Sequence, residues 1–209
     1  MSFAGFPEEA LEFYDRLELE NTREYFTAHK SVYDEAVRAP LIALTNALAA
    51  EFGAAKIFRP NRDVRFREDK SPYKTHQGAF VQVGEALGWY VQVSSAGVLS
   101  GAGFYHAAPE RLAAYRSAVA GPAGDVFERL VRDAEGSGLS LEGDRLKTAP
   151  RGYDRDHPRI DLLRHRSLTL MRDHGFAPVI HTPAILDRVR DDWRAARPVV
   201  EWLDAALST

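Results

Sequence analysis

"AFVQVGEALGWYVQVSSAGVLSGAGF", residues 79–104, decides the fold. Ala79, Val81 and Val83 recur every second residue, as do Trp89, Val91 and Val93, and a Gly-bounded "GEALG" joins the two arms. A repeat of two belongs to a strand, whose side chains alternate between faces. "GVLSGAGF" (97–104) supplies a third arm, and its small residues suit close backbone approach or a bulge. The stretch is predicted to be an antiparallel meander.

On both sides of it the apolar spacing turns helical. Pro7 introduces a run with Leu11, Tyr14 and Leu17 on one face. Asn21 with Glu24 three residues later resembles a capping box, opening a helix that carries Phe26, Tyr33 and Val37. Pro40 disfavours helical geometry at Ala39, so a kink or restart is expected before Leu41, Leu44, Leu48 and Phe52, with Gly53 as the stop. After the meander, Pro109 and Pro122 open helices with Leu112, Tyr115 and Val119, then Phe127, Leu130 and Ala134, on their inner faces. "LSLEGDRLKT" (139–148) has the pattern of a hairpin turning at Gly143-Asp144, and "SLTLMRD" (167–173) that of a strand. Thr182 and Pro183 open a last helix through Leu186, Val189 and Trp193, with Pro198 expected to bend it before Val200, Leu203 and Leu207.

The strands cluster as hairpins and do not alternate with helices. The expected fold is therefore α+β: a mainly antiparallel meander sheet flanked by helices, with long helical segments at both ends. No repeat or low-complexity segment divides the 209 residues, which are read as a single domain, 1–209.

Composition narrows the function. A 45% hydrophobic content is ample for a core, and a net charge of −3 opposes a surface that coats polyanions. With no cysteine there is no disulfide, no thiolate nucleophile and no cysteine-ligated metal. The N-terminal stretch lacks a signal peptide's basic segment, and no run reaches about 20 apolar residues, so a soluble, cytoplasmic protein without membrane contact is expected.

Against this acidic background, residues 59–76, "RPNRDVRFREDKSPYKTH", concentrate four arginines and two lysines. Read as a strand, Arg62 to Phe66 sends Val64 and Phe66 to the core and Asp63, Arg65 and Arg67 to the other face. Ser71-Pro72 then turns the chain so that Lys70 and Lys74 can point back. Asp63, Glu68 and Asp69 could neutralise part of the charge as ordinary surface pairs. Arginine, however, also suits bidentate grasp of phosphate or carboxylate, and Tyr73 could stack on a ring. The candidate ligand-binding residues are Arg62, Asp63, Arg65, Lys70, Tyr73, Lys74 and His76. A catalytic site would have Asp63, His76 and Asp156 as proton-transfer groups.

Other constellations are weaker. Asp154, Asp156 and His157 in "YDRDHP" could ligate a metal, but capping of the helix starting near Pro158 explains them better. Gly101 and Gly103 lack the third glycine of a dinucleotide fingerprint, there is no GK[ST], and neither HExxH nor GxSxG occurs. No metal and no cofactor is expected.

"NTREYFTAHKSVY", "FRPNRDVRFREDKSPYKTH", "GWYVQV", "GAGFYHAAPERLAAYR" and "APRGYDRDHPRIDLLRHRSL" together resemble the family called domain of unknown function 2461. Arg62, Asp63, Arg65, Phe66, Asp69, Lys70, Pro72, Tyr73 and Lys74 match its pattern. Asn21-Thr22 stands where the family has an asparagine pair, and Tyr25 where it has tryptophan. The resemblance implies no activity, but it makes the basic stretch the family's defining feature. The expected function is binding of a small phosphate- or carboxylate-bearing ligand. The alternatives are a structural or partner-docking domain with internal ion pairs and, more weakly, local contact with single-stranded nucleic acid.

Overall fold

The computed structural model describes residues 2–63, 65 and 69–207. Eight α-helices and six strands are assigned among them: α1 (Glu8–Leu19), α2 (Arg23–Ala28), α3 (Lys30–Val32), α4 (Ala39–Phe52), β1 (Lys56–Ile57), β2 (His76–Gly84), β3 (Leu87–Ser94), β4 (Gly97–Phe104), α5 (Pro109–Ala120), α6 (Ala123–Gly136), β5 (Ser140–Glu142), α7 (Ile160–Leu163), β6 (Leu168–Gly175) and α8 (Ala184–Leu207). The fold is α+β, with one six-stranded antiparallel sheet in the order β1-β2-β3-β4-β6-β5 and long helices towards both ends. β1 pairs with β2 in the register Lys56 to Phe80, and β5 with β6 in the register Leu141 to Leu170.

The central meander follows the alternation in the sequence. Trp89, Val91 and Val93 are buried, and Glu85-Ala86 makes a two-residue turn in which Ala86 takes a positive φ of 56°. Val83 departs from its face and is 43% exposed. The small residues of β4 permit close packing: a Cβ on Gly103, at φ 138°, would lie 2.2 Å from the Leu168 carbonyl oxygen.

Contacts divide the chain into two compact units, each discontinuous in sequence. The first comprises residues 1–81, 90–100 and 173–190, and the second residues 82–89, 101–172 and 191–209. In the first unit α1 buries Ala10, Phe13, Tyr14 and Leu17. An aromatic cluster follows, with Phe26 packed on Phe13 at 5.9 Å and on Tyr33 at 5.0 Å between ring centres. The second unit is built on Phe104, Tyr115 and Phe127, with Phe127 stacked on Trp202 at 4.1 Å and Trp89 6.0 Å from Trp193. Tyr115 is fully buried, and its hydroxyl donates to the Leu162 carbonyl at 2.9 Å.

Several sequence expectations are corrected. The cap of α2 is Thr22, whose hydroxyl accepts from the Tyr25 N–H at 3.1 Å, because the Asn21 side chain is engaged elsewhere. The restart expected around Pro40 is found, since α4 begins at Ala39. Residues Tyr33–Arg38 form a π turn, which shifts the hydrogen-bond register, and Pro40 falls in the first turn of α4, where proline is tolerated best. Gly143-Asp144 is not a hairpin turn. Gly143 has a φ of 131° and the chain beyond it runs on beside the segment before β6, with Arg145 bridged to His165 and the Leu146 N–H bonded to the Arg164 carbonyl. Arg62 to Phe66 is not a strand at its described positions: Arg62 and Asp63 lie in no regular element and Arg65 in a turn. The cause is local, since the Asp63 carboxylate accepts from the Arg65 N–H at 3.2 Å and closes the backbone on itself. Val64, Phe66, Arg67 and Glu68, which entered the strand and charge readings, lie outside the described residues.

Candidate functional site

Beyond β1 the chain extends into an arm. The Phe58 N–H still bonds to the Gly78 carbonyl, and the outgoing segment then pairs antiparallel with the returning one through Arg62 N–H to Pro72 O at 2.8 Å and Lys74 N–H to Pro60 O at 2.9 Å. Two side chains fix this arm. The Asn21 carboxamide holds the backbone of Tyr73 from both sides, its Nδ2 donating to Tyr73 O and its Oδ1 accepting from Tyr73 N–H, each at 3.0 Å. Buried Gln77 donates to Phe58 O at 2.7 Å and accepts from the Tyr33 hydroxyl at 2.5 Å.

Alternation along the returning segment then separates its side chains. Tyr73 turns inward and stacks on Phe26, with ring centres 4.0 Å apart and planes 9° from parallel. Lys74 and His76 turn into an open cleft of about 750 Å³. The outgoing segment contributes Phe58, Arg59, Asn61, Arg62 and Asp63 to the same cleft, and β3 contributes Tyr90. Tyr90 lies across Gly78, where a Cβ would approach the phenol oxygen to 2.6 Å. A second cleft, of about 590 Å³, takes Tyr73, Phe26 and Arg38 and shares Asn61 with the first.

Four of the seven candidate residues therefore line one cleft: Arg62, Asp63, Lys74 and His76. Arg65, Lys70 and Tyr73 do not line it. Arg65 is instead forked on Asp63, with Nε to Oδ1 at 3.0 Å and Nη2 to Oδ2 at 2.6 Å. That fork and the Arg65 N–H hold the Asp63 carboxyl far below the usual carboxylate range, so Asp63 is an anion at working pH and a poor proton donor. Arg62 is paired to Asp69, which also accepts from the hydroxyl and N–H of Ser71. Those Ser71 bonds, more than Arg62, lower the Asp69 carboxyl.

Arg59, Asn61, Phe58 and Tyr90 belong to the cleft although no local pattern marked them. Arg59 stood in the quoted basic stretch; Tyr90 could have been found only from the pairing of β2 with β3. Among the described residues no carboxylate is ion-paired to Arg59. Lys74 donates to the Arg59 carbonyl at 3.0 Å, and its ammonium lies 5.3 Å from the centre of the Phe58 ring. Burial, then the Arg59 charge, makes Lys74 more acidic than an ordinary lysine. Burial likewise lowers the His76 pKa, reinforced by Lys74 and then Arg62, so the imidazole is neutral near pH 7. Burial pushes the Tyr90 phenol up to about 12, and its hydroxyl donates to Gln92 at 2.7 Å.

The remaining candidates stay apart from this cleft. The Asp154 carboxylate accepts from the Asp156 N–H at 2.9 Å, and His157 Nδ1 accepts from the Arg159 N–H at 3.0 Å just ahead of α7, which accounts for both as turn formers. Among the described residues no group of three histidines or acids is placed to hold a metal ion. Among them also no helix is long and apolar enough to cross a membrane.

Comparison with curated proteins finds no match. A family model described as "Conserved hypothetical protein (DUF2461)" matches residues 9–202, which include the helices that anchor the arm and all eight residues of the cleft. The chain thus belongs to the DUF2461 family.

Proposed function

We propose that the cleft formed by the basic arm and β3 binds a small anionic ligand carrying phosphate or carboxylate. One observation carries the reading: Arg59, Arg62 and Lys74 line a single cleft whose one carboxylate among the described residues, Asp63, is already occupied by Arg65. Asp69 matches Arg62, but Arg59 and Lys74 have no carboxylate partner among the described residues, which is favourable ground for an anion, and guanidinium forks suit flat or tetrahedral oxyanions. Asn61, His76 and the Tyr90 oxygen add groups that can orient such a ligand.

The test is calorimetric titration and thermal shift with inorganic phosphate and citrate, on the native chain and on Arg59→Gln and Lys74→Gln. The expected result is a raised melting temperature with at least one anion, lost in either variant without a fall in the melting temperature of the unliganded protein. A second reading has its own support, because Arg62-Asp69 and Arg65-Asp63 are internal ion pairs and favour a structural or docking role for the arm. Under that reading Arg59→Gln changes nothing, and no anion shifts the melting temperature.

A further inference from the structure

We propose that the cleft selects a phosphomonoester dianion over a carboxylate or a phosphodiester, and that His76 takes up the proton which accompanies its binding. This rests on the anion-binding reading above and names the ligand class and its pH control.

His76 starts β2 and is half-buried in the cleft. Among the described residues its ring and that of exposed His106 have no hydrogen-bond partner, whereas His29, His157, His165, His174 and His181 each have one. The groups facing it come from three directions: Arg59, Arg62 and Asp63 on the outgoing segment, Lys74 on its own segment, and the neutral Tyr90 phenol on β3. Cations there disfavour a further positive charge on the imidazole, and burial disfavours it more. An oxyanion between Arg59, Arg62 and Lys74 cancels those cations and offers an acceptor to the ring. The same ring then becomes a good place for a proton.

The charge count separates ligands. With Arg62 held by Asp69 and Asp63 by Arg65, Arg59 and Lys74 leave two uncompensated cations, which outweigh the one negative charge of a carboxylate or a phosphodiester. A phosphomonoester brings close to two, because its second ionisation lies near about 6, and it presents three terminal oxygens. Three oxygens can engage the cations and leave one for the imidazole. Above about pH 7 the free ligand and the free histidine are both deprotonated, while the complex holds one proton between them. Binding is then linked to uptake of up to one proton, and affinity falls by up to about tenfold per pH unit. Below about pH 6 the ligand brings the proton itself, and affinity levels off.

The experiment titrates the full chain with phenyl phosphate, dimethyl phosphate and benzoate across pH, in buffers of different ionisation heat. The expected result is that phenyl phosphate binds at least tenfold more tightly than the other two at neutral pH. Its binding takes up protons, and His76→Gln removes both the uptake and the pH slope. Should His76→Gln fold poorly, imidazole nitrogen NMR of the native chain reads the same event as protonation of His76 on adding phenyl phosphate. Equal binding of the three probes, or uptake unchanged in His76→Gln, overturns the selection and proton roles while leaving an anion cleft. No binding of any probe overturns both that and the anion reading.

Discussion

His165 should set the acid limit of this fold. The residue is fully buried; its Nδ1 donates to the Ser167 carbonyl at 2.8 Å, and its Nε2 has no partner among the described residues. Protonating Nε2 would place a charge in a buried site with no acceptor. Burial therefore brings the imidazole down to about 4, with Arg145 and Arg164 adding to the depression and the Ser167 bond and Asp161 opposing it. The folded pKa lies below the ordinary 6.5, so between those values the unfolded chain binds more protons. Stability is complete above about pH 6.5 and declines as pH falls towards about 4. At roughly 1.4 kcal/mol per pH unit the loss is about 3 kcal/mol, a large part of an ordinary folding free energy. His76 acts in the same direction. The lowered carboxyls of Asp63 and Asp69 act only in still more acid solution, where an unfolded aspartate begins to protonate. The assay is urea unfolding at successive pH values for the native chain and for His165→Asn, whose amide can keep the donation to Ser167 without titrating. The asparagine is smaller and lowers stability at neutral pH, so the quantity read is the slope. The slope should become shallower in His165→Asn. An unchanged slope would refute the claim that an acceptorless buried imidazole governs acid unfolding.

Three further outcomes are expected. Asn21→Ala strands the N–H and carbonyl of Tyr73, costs about 1 to 3 kcal/mol in urea unfolding, and accelerates hydrogen exchange at Tyr73 and Lys74. Arg159→Lys loses the spread of donors that bind the carbonyls of Val119 at 2.7 Å, Ala120 at 3.0 Å and Gly121 at 3.1 Å, where α5 ends; the expected loss is about 2 kcal/mol by the same assay. Inverting the pair as Arg62→Asp with Asp69→Arg should recover most of the melting temperature lost in Arg62→Asp alone but none of the anion affinity. Asp69 does not line the cleft, so recovery of binding would show that charge near the arm suffices without placement.

What could be read in the sequence was what neighbours decide. The period of two around Trp89, Val91 and Val93 gave the meander, because alternation is a property of consecutive residues. Two of the failures have the opposite cause. The spacing of Asn21 and Glu24 suggests a cap, but the Asn21 carboxamide is claimed by Tyr73, 52 positions away. Gly143-Asp144 was read as a hairpin turn, but the partner of β5 is β6, beyond α7. At Asp63 the missed effect was local: a carboxylate two residues before Arg65 can close a turn that outweighs strand alternation. The same division holds in the cleft. Lys74 and His76 share it because they are two apart on an extended segment, whereas Tyr90 joins them across β2 and β3.

Counting cations does not by itself locate a ligand site, since several arginines in this chain serve the backbone. Arg111 binds the Leu207 carbonyl at the end of α8, Arg116 that of Leu163 at the end of α7, Arg159 the last carbonyls of α5, and Arg164 that of Leu146. A helix C-terminus carries partial negative charge and unpaired carbonyls, so a guanidinium placed there is neutralised in part by the backbone, and Glu85, Asp125 and Asp161 add to this at Arg111, Arg159 and Arg164. Such an arginine contributes to the formal charge yet offers little to a ligand. Arg62 and Arg65 are held by the carboxylates of Asp69 and Asp63, with the same consequence for part of their donor capacity. Arg59 differs in kind: among the described residues its guanidinium has neither a carboxylate nor a carbonyl, and its own carbonyl draws Lys74 to its side. Two cations brought together by a backbone contact repel each other, and burial of Lys74 strengthens that repulsion. An arrangement that costs stability in the empty protein is worth most where an anion relieves it, which singles out Arg59 and Lys74 within the basic stretch as the side chains to test for anion binding.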